Sequence, residues 1–389
     1  MANRSASPAA VQQALPDTRL PESRPIASVD APISVLLLDG ETTHAPAVAH
    51  CLTAVQGLTL HVLSSRPRVP LRFSRRTASF HTWDGCAAPG AGSVCDVLAR
   101  RLGVDVCIAA GELAQEFLVR EREHIGVPCI GVPSSDSLEK GRDKWRLATF
   151  LMAHRLPHPH TVLCSAYGGG WRINEMRFPV LVKPRLGGNG IGIRRFDDAG
   201  ALSQHLSVAG PWDKTIVQTL LDGFDIDCSV LCDRGEVLAY TIQRGFLGAS
   251  GFRPPGGIEF VDDERVIGIV RKMMAALSWS GVAHVDLRYD SRANQLNVIE
   301  INPRFWGSVL GSLHAGVNFP YLACQAALGR PFVTPDFRRC RYVAGATALS
   351  YWSRGRISTR STGFSFSDTA FWYVRHDPWP MLVETFIAP

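Results

Sequence analysis

The sequence predicts an α/β N-terminal domain with a parallel sheet, followed by an α+β domain built largely from antiparallel strands. Three observations lead to this prediction. The 389 residues exceed what one compact core usually holds. From Ile33 onward, short apolar runs alternate with helix-like stretches, which is typical of parallel βαβ units. Beyond Phe178, turn signals such as DRG separate the strands, which is typical of antiparallel hairpins.

Composition places the chain among ordinary globular proteins. Hydrophobic residues make up 46% of it and charged residues 20%, and no run approaches the ~18 apolar residues of a membrane helix. The net charge of +6 is spread along the chain, so it favours anionic ligands and predicts no nucleic-acid partner. The ten cysteines form neither a CxxC pair nor a small-domain framework, which indicates a reducing cytoplasm.

Four segments follow one another along the chain. Residues 1–32 are rich in Pro, Ser and Ala without an apolar signal core, so we expect a flexible leader. Residues 33–135 form the α/β domain, with predicted strands ISVLLLDG, LTLHVLS, VDVCIAAG and PCIGVP, and no GxGxxG that would favour a dinucleotide site. Residues 136–330 form the second domain, which begins with one linker helix. Residues 331–389 are a C-terminal extension to which the sequence assigns no role.

A lysine and a glycine-rich loop follow a buried strand in FPVLVKPRLGGNGIGIRRF, residues 178–196. Lys183 stands near the end of the strand, and an unpaired buried ammonium is costly, so this side chain must reach water or meet an anion. The backbone amides of a glycine loop can approach a phosphate closely and cradle it. The sequence therefore predicts a phosphate site here, and a glycine-rich hairpin with a surface lysine is the alternative.

Three oxygen-bearing side chains stand on the predicted strands GVAHVDLRYD and LNVIEINP. Asp286 lies on the first strand, Glu300 and Asn302 alternate on the second, and the polar hairpin DSRANQ joins the two. Antiparallel pairing would bring all three to one face. Such hard oxygen donors suit Mg²⁺, with Mn²⁺ as a substitute, because two adjacent carboxylates without a cation would repel. A solvated strand face, with Glu300 paired to Arg304, is the alternative.

Taken together, a lysine beside a glycine loop and a carboxylate trio downstream make the chain resemble the ATP-grasp superfamily of carboxylate–amine ligases. The resemblance covers residues 137–329, and residues 33–133 are similar to the α/β domain that precedes this fold. INPR after Glu300 is its most specific motif. The resemblance implies an ATP-grasp fold, in which two subdomains clasp ATP, and it implies ATP and Mg²⁺ as cofactors.

The resemblance also implies a role for individual residues. It assigns the phosphate contacts to Lys144 and Lys183. It assigns the loop that folds over the triphosphate to Gly187, Gly188, Asn189 and Gly190. It assigns the hinge that holds adenine to Gln218, Thr219 and Leu221, and the contact with the ribose hydroxyls to Asp225. The metal ligands are Asp286, Glu300 and Asn302, and Arg304 faces the transferred phosphoryl group. Gln218 and Asp225 depart from the glutamates that are usual at their positions.

Substrate selection is expected in the segment QRGFLGASGFRPPGGIEF, residues 243–260. Arg253, Arg244 or both would clamp a substrate carboxylate bidentately, and an exposed loop with solvated arginines is the alternative. We count Arg253 with Arg304 and Lys183 as catalytic. His284 shares the predicted face of Asp286, and its role is open between a phosphate or substrate contact and a satisfied core histidine.

The function predicted from these residues is an ADP-forming ligase. It would activate a small carboxylate as an acyl phosphate and join it to an amine, because phosphoryl transfer needs positioning and neutralised charge rather than a protein nucleophile. A kinase acting on a small metabolite and a non-catalytic nucleotide-binding protein are the open alternatives. No nucleic-acid or membrane partner is expected, and we allow for a homodimer.

Overall fold

The computed structural model describes residues 32–164, 176–188, 190–208, 214–247, 254–356 and 362–387, which form three β-sheets with flanking helices. Residues 1–31 of the predicted leader, Asn189 and Arg253 lie outside this described part. Within it, no helix reaches the length and apolarity needed to cross a membrane.

The first domain is a parallel sheet with helices, as predicted. Its strands run in the order β3-β2-β1-β4. The elements are β1 (Ile33–Leu38), α1 (Ala45–Thr53), β2 (Leu58–Ser64), β3 (Thr77–Thr82), α2 (Ala91–Leu102), β4 (Val106–Ala109) and α3 (Glu112–Glu121), with 3₁₀ turns at Pro70–Phe73 and Arg122–His124. Strands β1 and β4 are buried at almost every residue, because a sheet of this kind is covered on both faces.

Two details of this domain differ from the sequence prediction. PCIGVP is not a strand: Cys129 makes only an isolated bridge to Cys107, and the prolines at 128 and 133 have no N–H to offer a longer ladder. Strand β3 was not predicted. It is one of the two edge strands of the sheet and no residue in it is fully buried, so its hydrophobic periodicity is weak.

Two helices and a small antiparallel sheet begin the second domain. Helices α4 (Ser135–Arg142) and α5 (Lys144–Ala153) replace the single linker helix that was predicted. The break arises because Asp143 is extended and caps α5, accepting hydrogen bonds from the N–H groups of Trp145 and Arg146. The sheet has the strand order β5-β8-β6-β7. Its strands are β5 (Thr161–Leu163), β6 (Val180–Pro184), β7 (Arg194–Phe196) and β8 (Thr215–Thr219), and helix α6 (Ala199–Ser207) lies between β7 and β8 in the chain.

The remainder of the second domain supplies five strands of a six-stranded antiparallel sheet, which β14 of the C-terminal extension completes, in the order β13-β12-β9-β10-β11-β14. Its elements are β9 (Gly223–Asp233), β10 (Glu236–Leu247), β11 (Gly257–Phe260), α7 (Glu264–Leu277), β12 (Gly281–Asp290), β13 (Gln295–Asn302), α8 (Val309–Ala315), α9 (Phe319–Ala327) and β14 (Arg341–Val343). The predicted β12–β13 hairpin is confirmed by its register, in which Asp286 pairs with Glu300 and His284 with Asn302.

The C-terminal extension packs on both domains. Strand β14 pairs with β11 at the edge of the large sheet. Helices α10 (Gly345–Trp352), α11 (Ala370–Val374) and α12 (Trp379–Ile387) follow, with a 3₁₀ turn at Phe366–Asp368. The buried carboxylate of Asp377 accepts hydrogen bonds from the hydroxyl of Ser74 and the N–H of Arg75 in the first domain. The extension thus completes the large sheet and is fastened to the segment before β3 in the first domain. The domain boundaries at 135 and 330 remain our proposal.

A tight backbone contact joins the two domains at Gly281, the first residue of β12. Its φ is +90°, and a Cβ added there would lie 2.1 Å from the carbonyl oxygen of Gly131. We expect Gly281→Ala to lower the free energy of unfolding by about 1–3 kcal/mol, because the residue would be strained and the opposing backbone cannot move aside. Urea unfolding followed by circular dichroism measures this loss.

Gly268, within α7, provides the matched control for this substitution. A Cβ added there meets no atom within 4 Å. Gly268→Ala should therefore raise the free energy of unfolding by about 0.5–1 kcal/mol, because alanine loses less conformational entropy than glycine in a helix. If the two variants shifted stability in the same direction and by the same amount, the contact at Gly281 would not be the cause.

Candidate active site

The predicted metal ligands lie together on facing positions of β12 and β13. Asp286 and Glu300 are direct cross-strand partners, and Nδ2 of Asn302 lies 3.3 Å from Oδ2 of Asp286. The alternate residues Val285 and Ile301 are buried in the core of the second domain. Strand alternation therefore sends the apolar side chains into the core and the polar ones to the opposite face.

A further carboxylate, Asp227, joins this group from β9 and was not predicted. Asp227 is opposite Asp286 in the β9–β12 register. Nε2 of His284 lies 3.3 Å from Asp286 and 3.9 Å from Asp227, and the ligand atoms of these three residues all lie within 4.8 Å of one another. The alternation in FDIDCS was a signal for Asp227, but the pairing of β9 with β12 is a long-range contact that local spacing does not reveal.

His284 is held in place from both sides of its ring. Nδ1 lies 2.9 Å from the hydroxyl of Ser229, and the ring stacks on Trp306 with centroids 5.5 Å apart and planes 15° from parallel. Burial, together with the positive charge of Arg304, lowers the pKa of His284 to about 3. His284 is therefore a neutral hydrogen-bonding group beside the carboxylates at physiological pH.

Two buried lysines face the carboxylates. Lys144 and Lys183 are only 8% and 5% exposed. Nζ of Lys144 lies 3.0 Å from Oε2 of Glu300 and donates to the carbonyl of Gly187, while Nζ of Lys183 donates to Oε1 of Gln218 at 2.7 Å. Burial lowers the pKa of Lys183 to about 8, although the negative charge of Glu300 opposes this shift. A neutral amide cannot fully compensate a buried ammonium, so the site favours an anion beside Lys183.

The carboxylates crowd one another in a way that suits a divalent cation. Loss of bulk water and the adjacent Glu300 raise the pKa of Asp286 well above its ordinary value, and burial with Asp225 raises the pKa of Asp227 to about 8. Burial alone would raise the pKa of Glu300, but Lys144 overcomes it and the pKa lies below its usual range. Two carboxylates and an amide are the donor set that Mg²⁺ prefers, and a bound cation would favour the charged forms of these acids, so the residues present fit this ion.

The glycine loop and Arg304 lie against the same acidic group. Gly187 and Gly190 have φ of +97° and +73°, which side chains rarely adopt. A Cβ added to Gly188 would lie 3.7 Å from Oδ1 of Asn302, and Nη2 of Arg304 lies 3.4 Å from that same oxygen. The structure thus brings the loop, the metal ligands and the arginine together, with Asn189 outside the described residues.

Three of the four predicted nucleoside contacts, at Gln218, Leu221 and Asp225, are already engaged within the protein, whereas the buried hydroxyl of Thr219 has no hydrogen-bond partner among the described residues. Nε2 of Gln218 donates to Oγ1 of Thr161 at 2.9 Å while its Oε1 serves Lys183, so this glutamine positions the lysine. Arg288 donates to the carbonyl of Leu221 at 2.9 Å and to a carboxylate oxygen of Asp225. Thr219 ends β8 beside them. A ribose at Asp225 would have to share that carboxylate with Arg288.

The predicted substrate clamp receives no support from Arg244. Its Nε donates to Oε1 of Glu259 at 2.7 Å, across the β10–β11 pair. This ion pair offsets part of the positive charge with which Arg244 would bind a substrate carboxylate. The clamp prediction therefore depends on Arg253, which lies outside the described residues.

The first domain also contributes to this site, which the sequence did not reveal. The positive charge of Arg304 adds to the effect of burial in lowering the pKa of His44, at the start of α1, to about 4. Burial lowers the pKa of Arg304, and the negative charge of Glu112, at the start of α3, opposes this shift. Residues that follow β1 and β4 therefore face the arginine from the first domain.

Comparison with known proteins gives matches in sequence and in structure. The family model described as ATP-grasp in the biosynthetic pathway with Ter operon matches residues 212–349. A D-alanine–D-alanine ligase of Kineococcus radiotolerans is 28% identical over 196 residues, which are 41% of this chain and 50% of the ligase. The match therefore spans about half the length of that relative.

Solved structures extend the likeness to most of the chain. The biotin carboxylase domain dimer of Hydrogenobacter thermophilus 2-oxoglutarate carboxylase, in complex with MgADP, ADP and bicarbonate, has a TM-score of 0.61 and 17% identity, covering 79% of this chain and 72% of that one. The L-amino acid ligase of Bacillus licheniformis has a TM-score of 0.56 and 19% identity, covering 78% and 75%. At these identities the likeness concerns the fold alone, and it confirms the predicted architecture.

Proposed function

We propose that this chain is an ATP-grasp ligase: it activates a small carboxylate with ATP and Mg²⁺ and joins it to an amine. The convergence of two buried lysines on a carboxylate trio carries the proposal. Nζ of Lys144 lies 3.0 Å from Glu300, which is paired with Asp286. Ligases that act on amino acids are among the similar proteins, which supports amino acids as the substrate class.

The lysines and the glycine loop would bind the triphosphate. Among the described residues, the hydrogen bond of Lys183 goes to the neutral amide of Gln218, so a phosphate oxygen would add a directly bonded negative charge. Lys144 already bridges Glu300 and the carbonyl of Gly187, and it would tie the loop to the nucleotide. In the closed loop, backbone N–H groups can add hydrogen bonds to phosphate and keep water from the reacting atoms.

Asp286, Glu300 and Asn302 would hold Mg²⁺, with Asp227 beside them. When bound, the ion neutralises phosphate charge and orients the triphosphate for transfer. Asp227 and His284 are close enough to Asp286 to fix its orientation, at 3.3 Å for the histidine. Arg304 adds a fixed positive charge next to Asn302 at the place proposed for the transferred group.

The reaction then proceeds in two displacements. A substrate carboxylate oxygen attacks the γ-phosphorus, the bond to ADP breaks, and an acyl phosphate forms. The amine attacks the acyl carbon, loses a proton, and inorganic phosphate leaves with the attacking oxygen of the first step. Positioning and charge neutralisation supply the catalysis, which fits a site that offers lysines, an arginine and carboxylates.

The substrates would bind between the two domains. Arg304 faces the first domain, where His44 and Glu112 are near enough to interact with its charge. A carboxylate bound by Arg304 would have the loops after β1 and β4 on its other side, and Arg253 remains our proposed second contact. We also propose a cytoplasmic location. A homodimer is a further proposal, supported by the dimer of the similar biotin carboxylase domain.

Isotope transfer tests the ligase proposal. The protein is incubated with ATP, Mg²⁺ and a panel of amino acids whose carboxylates carry ¹⁸O, with and without a second amino acid as the amine. We expect ADP release that requires both partners, and one ¹⁸O in the inorganic phosphate for each product formed. A stable phosphorylated product from one partner would instead indicate a kinase, and nucleotide binding without ADP release would indicate a non-catalytic protein.

A further inference from the structure

Three thiols meet in the first domain, away from the candidate active site. The thiols of Cys129, in the segment that leaves the domain, and of Cys95 on α2 act on the thiol of Cys107 on β4 and raise its pKa well above the usual thiol value. Cys95 and Cys107 are buried, while Cys129 is partly exposed. Among the described residues, the only set of three or more potential metal ligands whose atoms all lie within 4.8 Å of one another is Asp227, His284 and Asp286 in the second domain. The three thiols therefore do not form a metal site of this kind.

The backbone places Cys107 and Cys129 directly opposite each other. They are the two members of a parallel bridge. The N–H of Cys107 donates to the carbonyl of Pro128 at 2.9 Å, and its carbonyl accepts from the N–H of Ile130 at 3.0 Å. Paired strands lie about 4.8 Å apart, which is inside the range of about 4.4–6.8 Å between the Cα atoms of disulfide-bonded cysteines. A bond between these sulfurs therefore needs little movement of the backbone.

The two thiols differ in reactivity. The hydrogen bond from Cys107, aided by the positive charge of Arg122, holds the pKa of Cys129 below the usual thiol value. The thiolate is the nucleophilic form of cysteine, and Cys129 is also the one of the two residues that is not fully buried. Cys107 is buried behind it, in the position of a resolving thiol.

We propose that Cys107 and Cys129 form a reversible disulfide in the folded chain on exposure to a hydroperoxide. The thiolate of Cys129 attacks one peroxide oxygen, the O–O bond breaks, and a sulfenic acid and hydroxide result. The sulfur of Cys107 then attacks that of Cys129, the S–O bond breaks, and water leaves as the S–S bond forms. In total the two thiols lose two electrons and two protons, and hydrogen peroxide is reduced to two waters.

The position of this pair couples it to the contact between the domains. Two residues after Cys129, the backbone of Gly131 packs on Gly281, where an added Cβ would be 2.1 Å from the carbonyl oxygen of Gly131. Gly281 begins β12, which carries His284 and Asp286. A disulfide would fasten the segment after Cys129 to β4, and so fix it against the strand that bears the acidic group.

Peptide mass spectrometry of the native chain tests the pair, independently of any ligase activity. Trypsin places Cys107 in the peptide 102–120 and Cys129 in the peptide 123–140, each with one cysteine. After equimolar hydrogen peroxide and blocking of free thiols, we expect these peptides joined, with the mass of two hydrogens lost, and separated again by dithiothreitol. Cys95→Ala should retain the link, whereas Cys129→Ser and Cys107→Ala should abolish it.

Two results would overturn the proposal. One is oxidation of Cys129 to higher acids, or its linkage to Cys95, without the joined 102–120 and 123–140 peptides. The other is a link that forms in urea and not in the native protein. Circular dichroism establishes that each variant is folded; Cys129→Ser alters a partly exposed side chain, and Cys107→Ala provides a second, apolar change at the buried position.

Discussion

Glu300→Gln is expected to reduce turnover by about 10²- to 10³-fold or more, the size of losing one preorganised electrostatic contact at a reacting centre. Glutamine keeps the volume of the side chain but removes a negative charge from the proposed metal site. It also removes the charged partner of Lys144, which lies 3.0 Å away. The effect should fall on kcat more than on the KM for ATP, because the triphosphate itself can pair with the freed lysine.

The fold should survive this change. Loss of the Lys144–Glu300 ion pair costs stability, but the substitution also relieves the repulsion between Glu300 and Asp286, which pair directly across β12 and β13. Glu236→Gln is the matched control, since Glu236 is exposed at the start of β10 in the same sheet. Steady-state kinetics and thermal unfolding of both variants decide the matter: near-normal turnover of a folded Glu300→Gln protein would exclude Glu300 as a metal ligand.

The sequence was most informative where local patterns decide the structure. The hairpin DSRANQ and the alternation in VIEINP fix the β12–β13 register, so the trio Asp286, Glu300 and Asn302 was predictable together with its shared face. Lys183 and the glycine loop were predictable for the same reason, because strand, lysine and loop follow one another directly. Lys144 came only from the resemblance to a family.

Long-range pairing explains what the sequence did not reveal. Asp227 reaches the site through the β9–β12 register, and His44 reaches Arg304 through the packing of two domains. The C-terminal strand β14 pairs with β11 although three helices and two strands lie between them in the chain, and its own three residues carry almost no periodicity. Each of these contacts depends on where whole elements pack, which a window of neighbouring residues does not contain.

Lys183→Met is expected to weaken ATP binding by about ten- to hundredfold, because a hydrogen bond from a charged donor is worth about 1.5–3 kcal/mol. Methionine keeps the length and the burial of the side chain, which is 5% exposed, and removes the ammonium. Lys272→Met, at an exposed position on α7, is the matched control. Isothermal titration calorimetry with a non-hydrolysable ATP analogue measures the difference at neutral pH.

The pH dependence of protein stability and of ATP affinity makes the test specific to Lys183. Burial lowers the pKa of Lys183 to about 8 in the free protein, while an unfolded lysine titrates near 10.4. The unfolded chain therefore holds more protons between these values, so this residue makes stability rise with pH across that window. Bound phosphate favours the ammonium, so ATP affinity should fall as pH rises above about 8. Lys183→Met should flatten both trends, and an unchanged fall in its ATP affinity above pH 8 would mean that another group binds the phosphate.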